Sequence, residues 1–277
     1  MLNEPIHEHY YRDTFIDAGI YNSEVETLAD YFQRAEELRP DATLSINEFN
    51  IINSASDDAT IEYRDLIQSL QDVGAPIDRI GIQAHIARND ITKNDIARRL
   101  NILAETGLPI EISEFDSRDD ANQLNEEEQE QMFRDMLEAT FENPAIDGFI
   151  MWGIWDIAHW RGNAPLYDIN WNLKPEAAPW TELVLGEWMP NLSAQGVDSS
   201  GVWDSSGNLF RGTYQISASA SGISAGITDF TLSADQELTI TLELPSLSLA
   251  IAEDAVPENG GKSLVTLTRN TETVDPL

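Results

Sequence analysis

The 277-residue chain is 42% hydrophobic and carries 49 acidic against 16 basic residues, a formal charge of −33. A surface that negative repels phosphate backbones and anionic headgroups, which argues against nucleic-acid and membrane-surface partners and leaves a neutral polymer compatible. With no cysteine, disulfides and thiolate metal sites are excluded.

The opening Met1-Leu2-Asn3-Glu4-Pro5 has no basic start and no apolar run, so it is not a signal peptide. It reads as the interior of a protein: a short strand ends at Glu4, and Pro5 throws the chain into a loop. No later stretch approaches the ~20 apolar residues of a membrane span. His7 and His9 read as loop residues beside a cleft rather than as a metal site. From here to about residue 188, short apolar runs alternate with amphipathic segments. The runs are Thr43–Phe49, Ile80–His85, Leu108–Phe115 and Asp147–Trp155; helices are predicted at Val25–Leu38, Ile61–Gly74, Lys93–Gly107 and Glu126–Asn143. Asn125 before three glutamates marks a helix start, and Gly74 and Gly107 mark helix ends. This alternation implies βαβ units around a parallel sheet.

Polar residues cluster at the predicted strand ends: Glu4, Asn47 and Asn50, Gln83 and His85, Glu114, and Trp152. In a β/α barrel those ends converge on one mouth, where catalytic groups stand. A carboxylate closing an apolar strand is costly to desolvate unless it has partners or a task. One such glutamate is more often a salt-bridged loop residue; the ordered set of polar ends reads as a site. His85 alone reads as a core histidine, and Asp116 beside it favours a functional role. Trp171, Trp180 and Trp188 are expected to serve packing.

From Asn3 to about Trp188 the chain resembles the family 10 glycoside hydrolases. Asn3-Glu4 resembles the fourth-strand acid/base with its preceding asparagine; Ser45–Asn50 and Gly81–His85 are similar to the fifth and sixth strands. Ile112-Ser113-Glu114-Phe115-Asp116 resembles the nucleophile motif. Trp152-Gly153, Trp160-Arg161, Pro165-Leu166-Tyr167-Asp168 and Lys174-Pro175 resemble the eighth strand and its loop. Glu4 and Glu114 lie 110 residues apart, room for three β/α units. The resemblance implies an endo-1,4-beta-xylanase: an α/β chain forming a partial TIM (β/α)8 barrel from the end of strand 4 to helix 8. It further implies Glu4 as acid/base, Glu114 as nucleophile, and His85 and Asp116 supporting the nucleophile. Asn3, Asn47, Gln83, Trp152 and Trp160 would bind substrate, with no metal or cofactor, and the carboxyl groups would stand ~5–5.5 Å apart for retention. Phe49 departs from the family's usual tyrosine. Because the first three β/α units have no counterpart, the chain alone is expected to be inactive. A related barrel hydrolase acting on β-glucan and a non-catalytic carbohydrate-binding surface protein are the alternatives.

After Trp188 the composition turns to Ser, Gly and Thr, and alternating segments appear at Gly212–Ser219, Ile227–Leu232 and Leu238–Leu244. Turns are expected at Asp204–Gly207 and Ser233–Asp235. The expected division is a half-barrel at 1–190, a small all-β module at 191–245 and a truncated segment at 246–277. The last resembles the opening of a Calx-beta domain. Complete domains of that family bind Ca²⁺ through acidic loops; with only the first strands present, no calcium site is expected here. Secretion is inferred from the polymeric substrate and these appended modules.

Overall fold

The computed structural model describes residues 2–117, 124–162, 166–189, 196–204, 209–220, 223–233, 238–242, 247–251 and 265–269. The chain divides into two compact units, 1–190 and 191–277. The first unit is built on one parallel sheet. Its strands are β1 (Leu2–Asn3), β2 (Ser45–Glu48), β3 (Arg79–Ile82), β4 (His85–Ile86), β5 (Ile110–Ser117) and β6 (Ile146–Met151), in the order β1-β2-β3-β5-β4 with β6 also on β5. The helices are α1 (Tyr10–Asp17), α2 (Glu24–Leu38), α3 (Asp58–Asp72), α4 (Lys93–Ala104) and α5 (Glu126–Phe141). Four of the five match the amphipathic periods read from sequence; α1 was missed.

Local chemistry explains the helix ends. Asn125 and Glu128 form a reciprocal capping box on α5, and Thr92 and Asp95 form one on α4, each satisfying two otherwise orphaned amides. Gly74 and Gly107 reverse the chain at φ 79 and 76, a conformation that side chains with a Cβ resist. Isoleucines recur at alternate strand positions because helices cover one face of the sheet: Ile46, Ile80, Ile82, Ile110 and Ile112 are fully buried in one core with helix residues such as Ile67, Leu70, Ile96 and Leu100, while Asn47, Gly81, Glu111 and Ser113 take the other face. Each such side chain contributes roughly 1.5–3 kcal/mol.

The two ends of the sheet differ. At the strand starts, Arg79 reaches Asp147 at 2.7 Å and Glu111 at 3.3 Å, tying three strands together. At the strand ends the backbone departs from regularity: Glu4 has φ 55, Asn50 φ 62 and Ala84 φ 59. Ala84 separates β3 from β4 and so re-aims the chain before His85.

In the second unit β7 (Gly212–Ile216) pairs antiparallel with β10 (Thr228–Leu232), β8 (Ser219–Ala220) with β9 (Ile223–Ser224), and β11 (Leu247–Ile251) with β12 (Val265–Arg269). The expected strand at Leu238–Leu244 is not seen over residues 238–242, where the alternating pattern meets no ladder partner among the described residues. The turns expected at Asp204–Gly207 and Ser233–Asp235 fall largely outside the described residues, as do Pro165 and the acidic loop of 252–264. Among the described residues no helix is long and apolar enough to cross a membrane.

Candidate active site

Strand register brings the predicted polar ends to one rim. β1 pairs with β2 so that Asn3 lies opposite Asn47, and β2 pairs with β3 so that Asn47 lies opposite Gly81. Asn47 is fully buried, and its amide donates to Asn3 Oδ1 at 2.8 Å and to Glu114 Oε1 at 2.9 Å. Its carbonyl oxygen accepts from Ser113 Oγ at 2.7 Å, which fixes the amide orientation. On the other side, Gln83 Nε2 donates to Glu4 Oε1 at 2.7 Å. One asparagine therefore links the residue before Glu4 to Glu114 itself, and one glutamine holds Glu4.

Behind Glu114 lies a charged relay. His85 Nε2 stands 3.6 Å from Glu114 Oε2, and His85 Nδ1 stands 2.9 Å from Asp116 Oδ2. Asp116 is 1% exposed and is ringed by donors: Trp160 Nε1 donates to it at 3.1 Å, His159 Nε2 lies at 3.5 Å and Arg161 at 3.7 Å. Burial works against charge on His85, but its contacts with Asp116 and Glu114 outweigh that, and its pKa is raised above the ordinary 6.5. His159 goes the other way, because burial outweighs the charge of Asp116 and lowers its pKa.

Two tryptophans complete the rim. Trp152, 44% exposed, and Trp160, 60% exposed, meet the His85 ring edge-on at 6.3 and 5.2 Å. Arg161 lies over the Trp160 ring at 4.2 Å and steadies it.

All nine predicted site residues thus meet in one network. Sequence reasoning missed three contributors. Two are His159 and Arg161, on an irregular loop with no period to read; their only signal was flanking Trp160. The third is Glu48, a carboxylate at 0% exposure that accepts from Ile6 N, Phe49 N and His7 Nδ1, each at 2.8 Å. Burial raises its pKa. It pins the loop that follows Glu4, and His7 belongs to this clamp, with its ring tilted by 33° against Phe49 at 3.8 Å. His9 contacts Arg12. Two packing expectations hold and one needs correction. Trp188 stacks on Phe141 at 3.9 Å and Trp180 lies by Phe133 at 6.4 Å, but Trp171 is 56% exposed because a tight turn lifts it off the core.

Residues 1–181 match the sequence profile of glycosyl hydrolase family 10. The chain belongs to that family. Among its relatives, anti-sigma-I factor RsgI6 of Acetivibrio thermocellus is 30% identical over 192 residues, 69% of this chain and 24% of that protein. Endo-1,4-beta-xylanase B of Thermotoga neapolitana is 32% identical over 178 residues, 57% of this chain and 50% of that protein. The solved xylanase 10B of Thermotoga petrophila, in complex with xylobiose, superimposes with a TM-score of 0.55 at 25% identity, covering 66% of this chain and 58% of that one. The chain thus spans half or less of the length of the curated relatives it matches. Its parallel sheet and helices are part of a TIM barrel.

Proposed function

We propose that this chain supplies the acid/base and nucleophile half of a retaining endo-1,4-beta-xylanase. The observation that carries the reading is the Asn47 amide, which joins Asn3 to Glu114 while Gln83 holds Glu4 on the same rim. In the first step Glu4, as a carboxylic acid, gives its proton to the leaving glycosidic oxygen. Glu114, as a carboxylate, attacks the anomeric carbon, so the carbon–oxygen bond breaks as an ester to Glu114 forms. In the second step Glu4, now a carboxylate, takes a proton from water, the water oxygen bonds to the anomeric carbon, and Glu114 leaves. Asn3 hydrogen-bonds the sugar 2-hydroxyl, a contact that strengthens in the transition state. The Asp116–His85 pair orients Glu114, and Gln83, Asn47, Trp152 and Trp160 receive the sugar rings. The polymeric substrate of this reading supports an activity outside the cell. The antiparallel β11–β12 pair supports reading the tail as the start of a Calx-beta-like module.

The test is a chimera in which the first half-barrel of a family xylanase precedes Met1. It is expected to cleave xylan with retention and to be trapped by a 2-fluoro-xylobioside as an ester on Glu114. A chimera that folds but carries no label on Glu114, or that inverts the anomeric centre, would refute the assignment.

A further inference from the structure

The loop after β6 holds an aromatic surface that the proposed chemistry does not use. Trp171 sits at φ 65, a left-handed conformation that suits glycine or asparagine and is an outlier for so bulky a residue. A turn built around one carboxylate holds it there: Asp168 Oδ1 accepts from the amides of Asn170 and Asn172, both at 2.8 Å, and Oδ2 accepts from Asn172 Nδ2 at 2.9 Å. Trp171 N donates to Asp168 O at 3.0 Å, and Asp168 N to Asn172 O at 3.0 Å, closing the turn. Strain of this kind persists only where its surroundings over-determine it.

The turn presents a flat ring to solvent. One face of Trp171 stacks on Trp155 at 5.0 Å and 11°, with Tyr167 tilted against it at 6.0 Å, yet the residue remains 56% exposed. A rigid indole offers contact area with few rotatable bonds to freeze, so little binding energy is lost to ordering. At a net charge of −33 the surface disfavours anionic partners. A pyranose ring fits such a neutral platform: its axial C–H face covers an aromatic plane, and its hydroxyls can pair with the polar groups of the turn. The same loop bears Trp152 and Trp160 of the candidate cleft.

The geometry points to Trp171, backed by Trp155, as a second glycan-binding platform that takes a neutral polysaccharide chain by ring stacking outside the cleft. The substrate class comes from the proposed function, but binding here requires no catalysis and none of the residues assigned to it.

The full chain is run in native gels cast with neutral arabinoxylan, beside Trp171→Ala, Trp171→Phe and Trp160→Ala. Removing Trp171 is expected to weaken glycan affinity about threefold or more, the scale of one aromatic contact. Phenylalanine at that position should recover part of it, and Trp171→Ala should cause the same loss when made in a Trp160→Ala background, whatever Trp160 itself contributes in the cleft. Equal retardation of Trp171→Ala and the parent overturns the platform. So does a loss confined to Trp160→Ala, which would leave the cleft reading intact. Concentration-dependent self-association that Trp171→Ala abolishes, with glycan affinity unchanged, would assign the patch to a second copy and equally overturn the proposal.

Discussion

Gly81 and Asn47 occupy one space: a Cβ on Gly81 would stand 2.4 Å from Asn47 Oδ1 and 3.1 Å from its Cγ. The glycine is therefore what lets the asparagine reach both Asn3 and Glu114. Gly81→Ala should push the amide off its two acceptors. We expect a stability loss of about 1–3 kcal/mol, typical of overpacking, together with lost turnover in the assembled barrel. Denaturant melts and kinetics check both; unchanged turnover would show that the Asn47 bridge is dispensable.

Under the proposed function, Glu4→Ala removes the proton donor and leaves Glu114 in place. For substrates with poor leaving groups the chimera should slow by roughly 10²–10⁴-fold. Activated aryl xylosides should still glycosylate Glu114, and azide should then restore turnover by giving a β-xylosyl azide. An α-azide, or no rescue, contradicts the assigned role.

The two histidines around Asp116 should titrate on opposite sides of 6.5. The stabilisation from charged His85 is complete below 6.5 and disappears as pH rises through its higher folded-state value. For His159 the unfolded chain takes the proton first, so stability falls as pH drops below 6.5. Imidazole NMR on the folded chain resolves the order, and a His159 that titrates above His85 would contradict at least one of the two assignments.

Glu48→Ala should strip the partly buried Ile6 and Phe49 amides and the exposed His7 ring of one buried acceptor. His7 can turn to water, but an amide left unpaired costs about 1–3 kcal/mol where water cannot replace its partner, so destabilisation on that scale is expected, with faster hydrogen exchange at the Ile6 amide. Thermal melts and exchange mass spectrometry measure these effects; an Ile6 amide that keeps its protection would argue against the clamp.

The readable part of this protein is the regular part. Ile110 and Ile112 announce a strand because burial of one face against helices demands apolar residues at alternate positions, and Asn125 with Glu128 announces a helix because unpaired amides demand acceptors. Glu114 and Gln83 could be picked out as polar residues closing such runs. The short helix α1 escaped notice because Tyr10–Asp17 carries no strong apolar stripe. Over residues 238–242 the expected strand finds no ladder partner among the described residues, because alternation specifies a face and not a partner. His159 and Arg161 act through contacts across the fold, 43 and 45 positions along the chain from Asp116, and no local pattern encodes such a distance. The exposure of Trp171 depends on a left-handed turn, which the Asp168–Asn172 segment permits without announcing.

The Arg79 brace sits at the end of the sheet remote from every group assigned to chemistry. Durability and reactivity are therefore entrusted to opposite poles of the same strands. An engineer can fortify the foot of the sheet through Arg79, Glu111 and Asp147 while leaving the mouth untouched, and selection acting on one pole need not disturb the other.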